Sequence, residues 1–183
     1  MRKILFLCIL AMACVQVRAQ HIHFKGIRLG EDIVTFRLMM LEKGFAINDR
    51  RTDAQGSCSF VGKFAGDFVD VSCSYTPETK KVFKVGVDFK RWTVALDGKA
   101  GVTRNQQNGR FDELYKAISN NFGKPVQDQR VARGGVERLA VWRVQGGTIN
   151  LVLHNIQGKY ITLSLVYHDD EAMALLKSEK KQA

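Results

Sequence analysis

The segment CSFVGKFAGDFVDVSC, residues 58–73, carries the pattern of an antiparallel hairpin. Apolar and polar residues alternate on both sides of Ala65-Gly66, which is the period of a strand with one buried face. If Ala65 and Gly66 form a two-residue turn, Cys58 falls directly opposite Cys73. A cross-strand disulfide is therefore the first interpretation of this pair, and two separate thiols, a redox pair and a metal site are the alternatives.

The same period of two recurs along the chain and alternates with helical spacing. It predicts six antiparallel strands, over residues 57–64, 68–75, 82–90, 138–145, 148–154 and 160–167. Helical spacing predicts helices over 31–43, 111–122 and, more briefly, 170–177. The order helix–strand–strand–strand thus occurs twice, which indicates an internal duplication. The predicted fold is α+β: two such repeats form antiparallel sheet, their helices pack on one face, and a short C-terminal helix follows.

The first predicted helix carries two apolar rows side by side. One row contains Ile33, Phe36 and Met40, and the other contains Val34, Leu38 and Leu41. Together they form a wide apolar stripe, as in an amphipathic helix.

The N-terminal residues have the three parts of a secretory signal peptide. Arg2 and Lys3 are followed by the apolar run 4–15 and by a small residue, Ala19, before Gln20. We expect residues 1–19 to be removed and the protein to be periplasmic or secreted. The alternative is a lipid anchor at Cys14. Only with this anchor do we expect the protein to be attached to a membrane.

The remaining chain has the length of one domain and a basic composition. We expect a single α+β domain over 20–183, with repeats at about 22–92 and 109–168 and a tail over 169–183. The full chain has 28 basic and 18 acidic residues, but the basic residues are scattered and no basic run exceeds two. This distribution predicts a solvated surface and no nucleic-acid partner, with weak adhesion to anionic headgroups or acidic glycans as the alternative.

Two longer segments carry a family resemblance. FKGIRLGEDIVTFRLMMLEKGF, residues 24–45, and FDELYKAISNNFGKP, residues 111–125, follow a signal peptide that ends in Ala-Gln. In this the chain resembles small periplasmic or secreted α+β proteins of Bacteroidetes. Their architecture is similar to the tandem helix-plus-sheet repeats of β-lactamase-inhibitor-protein-like domains and, more distantly, to the SmpA/OmlA assembly lipoproteins. The resemblance implies a binding or scaffold protein, without catalytic residues to transfer.

The histidines and acidic residues do not form a recognisable catalytic or metal-binding motif. His21 and His23 stand near the predicted new N-terminus, where we expect a frayed end or the start of a strand. His154 and His168 lie near the ends of the last two strands and could approach each other. The acidic group at 169–171 could hold a cation, but helix capping explains it better. We therefore predict no enzyme activity, no cofactor and no metal.

Aromatic residues beside basic ones give the functional hypothesis. The candidate partner-binding residues are Lys90, Arg91, Trp92 and Trp142, although for each tryptophan core packing is the favoured interpretation. We predict a noncatalytic binding or envelope-associated protein that uses a sheet face to contact an envelope or extracellular protein or glycan. A secreted hydrolase, or a carrier of a small ligand or metal, is the alternative. Exposed strand edges leave a monomer or a weak dimer open.

Overall fold

A computed structural model describes residues 20–48, 56–90, 94–95, 104–130, 135–156 and 160–182 of the chain. The predicted signal peptide and Cys14 lie outside these ranges, as do Arg91 and Trp92. None of the helices within them has the length and hydropathy that a transmembrane segment requires.

The described residues form three helices and eleven strands. In chain order these are β1 His23–Phe24, β2 Ile27–Arg28, α1 Ile33–Glu42, β3 Ala46–Ile47, β4 Ser57–Phe64, β5 Asp67–Tyr75, β6 Val82–Asp88, β7 Val94–Ala95, α2 Arg104–Phe122, β8 Gln127–Arg130, β9 Val136–Val144, β10 Gly147–Ile156, β11 Tyr160–Asp169 and α3 Asp170–Gln182. The predicted α+β class, the antiparallel strands and the C-terminal helix are confirmed.

One antiparallel sheet contains strands from both halves of the chain. Its order is β3-β4-β5-β6-β11-β10-β9-β8, with β7 added beside β11, while β1 and β2 form a separate hairpin. The centre of the sheet is the pairing of β6 with β11, the last strand of the chain. Neighbours such as β4 and β5 are joined by tight turns, whereas β6 and β11 come from distant parts of the sequence.

The hairpin of β4 and β5 has the predicted register. Cys58 pairs with Cys73, their Cα atoms are 5.4 Å apart, and their sulfur atoms lie at disulfide distance. Ala65 and Gly66 have φ angles of 49° and 86°, the left-handed values that a type I′ turn requires. Both cysteines are on the buried face of the hairpin. A bond that closes this 15-residue separation would contribute about 3 kcal/mol in the chain-entropy model.

The core lies between one face of the sheet and the helices α1 and α2. Inward residues alternate along the central strands, among them Val71, Val87, Leu151 and Leu165. The helices add two rows of buried side chains: Ile33, Phe36 and Met40 from α1, and Phe111, Leu114 and Ile118 from α2. Each helix therefore covers the sheet with a single row of residues.

The second apolar row of α1 is exposed, so only one row of the wide apolar stripe is buried. Val34 is 62% exposed, Leu38 58% and Leu41 44%. The reason is position: α1 packs beside β2 and β3, at one margin of the sheet, where only one side of the helix meets other residues. Periodicity identified both rows but could not show which of them has a neighbour.

Candidate functional site

The face of the sheet opposite α1 and α2 carries polar side chains with valines between them, and we call it the open face. Side chains that alternate with the core residues point there, and the strand register brings them into rows. The open face includes Phe68, Asp70, Ser72, Lys84, Asp88, Thr148, Asn150, Val152, His154, Thr162, Ser164, Val166 and His168. Hydroxyl, carboxylate, amide, ammonium and imidazole groups thus lie on one surface.

A pair of carboxylates occupies the middle of the open face. Asp70 of β5 and Asp88 of β6 are directly opposite each other, an arrangement that like charges disfavour. Lys90 offsets this repulsion, because its Nζ lies 2.6 Å from Asp70 Oδ2. The carboxylate of Asp70 is nearly buried, whereas the lysine side chain is 56% exposed. The candidate residue Lys90 is therefore held at this face by an ion pair.

Phe68 is the aromatic residue that sequence reasoning missed. Its side chain is 61% exposed and lies on the open face, two residues before Asp70 and opposite Lys63 of β4. The signal was present in the alternation of β5: Val69 and Val71 point inward, so Phe68 must point outward. An exposed ring beside charged groups can stack on a flat or ring-shaped partner.

Trp142 packs in the core, the interpretation favoured for each tryptophan, and is not an exposed partner-binding residue. Its side chain is fully buried, its ring packs edge-on against Tyr115 at 5.4 Å, and its Nε1 donates a hydrogen bond to the Gly123 carbonyl at 3.1 Å. A side chain without exposed surface cannot contact a partner, so the candidate binding role is wrong for Trp142. Trp92 and Arg91 lie outside the described residues.

His154 and His168 lie at opposite ends of the β10–β11 hairpin, so the expectation that they could approach each other is wrong. His154 belongs to the pair with Thr162, and His168 to the pair with Thr148. Six residue steps separate these pairs, about 20 Å at ~3.4 Å per residue. Partial burial lowers the pKa of His154, with Asp88 opposing it. Burial and then Lys84 lower the pKa of His168.

A second polar cluster joins the N-terminus to the last helix. His21 Nδ1 lies 3.0 Å from Asp169 Oδ2, and His21 Nε2 lies 3.0 Å from Glu171 Oε2. Asp169 also accepts hydrogen bonds from the backbone N–H of Ile22 at 3.2 Å and of Ala172 at 2.9 Å. The predicted capping role of the acidic group is therefore seen at Asp169.

His21 is held in place, contrary to the frayed terminus that we expected. Its side chain is only 11% exposed, and each ring nitrogen faces a carboxylate. No local sequence signal could have shown this pair, because 148 residues separate His21 from Asp169. Among the described residues, no cluster of three or more histidine, cysteine or acidic side chains is placed to hold a metal ion.

The open face can recognise a partner through hydrogen bonds and ring stacking. Its groups are spread over a surface, and Phe68 and Lys63 stand at one side of it. No protein-family model, curated protein or solved structure matches this chain. The arrangement of the side chains is therefore the basis for a functional conclusion.

Proposed function

We propose that this chain is an exported, noncatalytic binding protein that contacts an envelope or extracellular partner through the open face. The observation that carries this proposal is the exposed Phe68 ring beside the ion-paired Asp70 and Lys90 on a polar sheet surface. Export is supported by the signal-like residues 1–19 and by two cysteines at disulfide distance, a pairing typical of oxidising compartments. A lipid anchor at Cys14 is the alternative to release.

A glycan is the partner that the open face suits best. The centre of a protein–protein interface is usually depleted of charged residues, whereas Asp70 and Asp88 lie in the middle of this face. Carboxylates and hydroxyls such as that of the exposed Ser72 match the many hydroxyl groups of a sugar chain. Phe68 supplies a ring on which the apolar side of a sugar can lie. A protein partner is the alternative that the experiment separates.

We also propose that the domain arose by duplication. What supports this is the strand order, in which β3-β4-β5-β6 on one side corresponds to β8-β9-β10-β11 read inward from the other edge. A helix precedes each set, α1 before β3 and α2 before β8. The proposed likeness to β-lactamase-inhibitor-protein-like and SmpA/OmlA-like proteins rests on the same arrangement. In those families, tandem units of this kind serve binding or scaffolding.

The test compares two exposed apolar residues. Purified protein would be titrated against immobilised envelope and extracellular polysaccharides, as wild type, Phe68→Ala and the control Leu38→Ala. Leu38 is 58% exposed but lies on α1, on the other side of the sheet from the open face. We expect Phe68→Ala to weaken binding about tenfold, equivalent to ~1.4 kcal/mol, and Leu38→Ala to have little effect.

Two results would count against the glycan proposal. One is that the wild type binds none of the polysaccharides. The other is that both variants bind as the wild type does. If envelope proteins are instead retained by the wild type and lost with Phe68→Ala, the open face binds a protein partner.

A further inference from the structure

A cavity lies at the end of the sheet, where the N-terminal residues, the end of α2 and the β9–β10 turn meet. Its volume is about 800 Å³, within the range of small-molecule sites. The side chains that bear on its chemistry are Ile22, His23, Arg28, Phe122, Arg143 and Val144. The cavity is separate from the polar rows around Asp70 and Asp88, so a ligand here would be additional to a glycan on the open face.

Positive charge lines one part of the cavity. Arg28 and Arg143 are 50% and 57% exposed, so their guanidinium groups remain accessible. Arg28 contacts Glu31 at 2.8 Å and Arg143 contacts Asp170, but neither acid is among the lining residues. Each arginine has five N–H donors, so a carboxylate neighbour leaves donors for a second anion.

Apolar side chains line the other part. Ile22 is almost fully buried, Val144 is partly buried, and the Phe122 ring is half exposed. A half-exposed phenylalanine at a cavity wall gains from being covered, since burial of apolar area is favourable. The cavity therefore offers an apolar surface next to two guanidinium groups.

The position of His21 in the cavity wall is fixed before any ligand binds. His21 lines the cavity, and its ring is held by Asp169 on one side and Glu171 on the other. Asp169 also holds the backbone of Ile22. A preformed wall reduces the entropy that a ligand must lose on binding.

From these features we propose that the cavity binds an amphipathic organic anion. The anionic group, a carboxylate, sulfonate or phosphate, lies between Arg28 and Arg143. Its apolar body lies against Ile22, Val144 and Phe122.

The experiment uses octanoate and octan-1-ol, which share a chain length and differ in charge. Binding to the purified protein would be followed by methyl NMR, with a variant that combines Arg28→Gln and Arg143→Gln. The control is Lys63→Gln, which removes one exposed positive charge on β4. We expect octanoate to shift the methyl signals of Ile22 and Val144, and the double variant to bind octanoate about tenfold more weakly. Octan-1-ol binding should be the same in all three proteins.

Several outcomes would overturn the proposal. Octanoate could leave the methyl signals of Ile22 and Val144 unchanged, or shift signals elsewhere instead. The double variant could bind octanoate as tightly as Lys63→Gln does. The double variant could also bind octan-1-ol more weakly, by the same factor as octanoate. This result would indicate a disturbed cavity and no recognition of the anion.

Discussion

Replacing Asp169 tests whether the cluster around His21 stabilises the fold. Asp169 is fully buried and accepts hydrogen bonds from His21 and from the backbone N–H groups of Ile22 and Ala172. Asparagine caps helices about as well as aspartate, so the oxygen of Asp169→Asn can still accept from Ala172. Its NH2 group cannot accept from Ile22 as Oδ2 does, and the charge that faces His21 is lost. A charge-assisted hydrogen bond exceeds a neutral one by roughly 1–2 kcal/mol and an unsatisfied N–H costs about 1 kcal/mol, so we expect Asp169→Asn to lower the free energy of unfolding by about 2–3 kcal/mol.

Asp169→Ala removes all three interactions. The lost cap contributes about 1 kcal/mol, the bond to His21 about 2, and the unsatisfied N–H of Ile22 about 1. The sum, about 4 kcal/mol, is a large fraction of the ~5–15 kcal/mol that stabilises a domain. The matched control is Asp170→Asn. The carboxylate of Asp170 is 44% exposed and pairs with Arg143. A surface pair of this kind contributes at most about 1 kcal/mol.

Urea unfolding followed by circular dichroism would measure these differences. A double-mutant cycle of Asp169→Asn with His21→Ala should give a coupling energy of about 1–2 kcal/mol, because the two side chains are in contact. The reasoning fails if Asp169→Asn is no more destabilising than Asp170→Asn. It also fails if the cycle gives a coupling near zero, since the loss would then come from the cap alone.

Two further predictions concern packing and pH. Gly62→Ala should lower the free energy of unfolding by about 1–3 kcal/mol, because the added Cβ would overlap the buried Phe45 ring. Gly109 lies in open space inside α2, so Gly109→Ala should raise the free energy of unfolding by about 0.5–1 kcal/mol. Urea midpoints check both predictions, and equal effects of the two substitutions would contradict the packing argument. Because the pKa values of His154 and His168 are lowered in the folded state, the unfolded chain takes up protons first, so stability should fall as the pH drops below about 6.5. Urea midpoints at pH 7.5 and 5.5 should differ less when both histidines are replaced by glutamine. An unchanged difference would refute this source of the pH dependence.

Local patterns predicted the parts of the fold whose partners are near in sequence. The pairing of Cys58 with Cys73 followed from alternation and a two-residue turn, because a hairpin register depends only on its turn. The same argument could have placed Phe68 outward, as the structure does. The strand β8, Gln127–Arg130, was not predicted, because its four residues are all exposed and polar. It is an edge strand, recognisable from its backbone pairing with β9.

The candidate site was less predictable, because distant segments form it. The contact of His21 with Asp169 joins the two ends of the described chain, and no periodicity encodes such a pair. Trp142 illustrates a different difficulty. The sequence of a strand does not show whether its aromatic residue faces the core or a partner. Its place depends on α2, which covers that part of the sheet. Knowledge of which helix lies over which strand is therefore needed before a surface residue can be identified.

The position of β11 also determines when strand β6, in the first half of the chain, gains its second neighbour in the sheet. Strand β6, Val82–Asp88, is paired on one side by β5 as soon as the hairpins form, but its other partner, β11, begins only at Tyr160. A chain that is synthesised or translocated from its N-terminus therefore presents the free side of β6 until almost all of it has arrived. Unpaired strand edges of this kind attract other chains. Any fragment that ends before Tyr160 would keep this edge of β6 open to pairing with a strand of another chain.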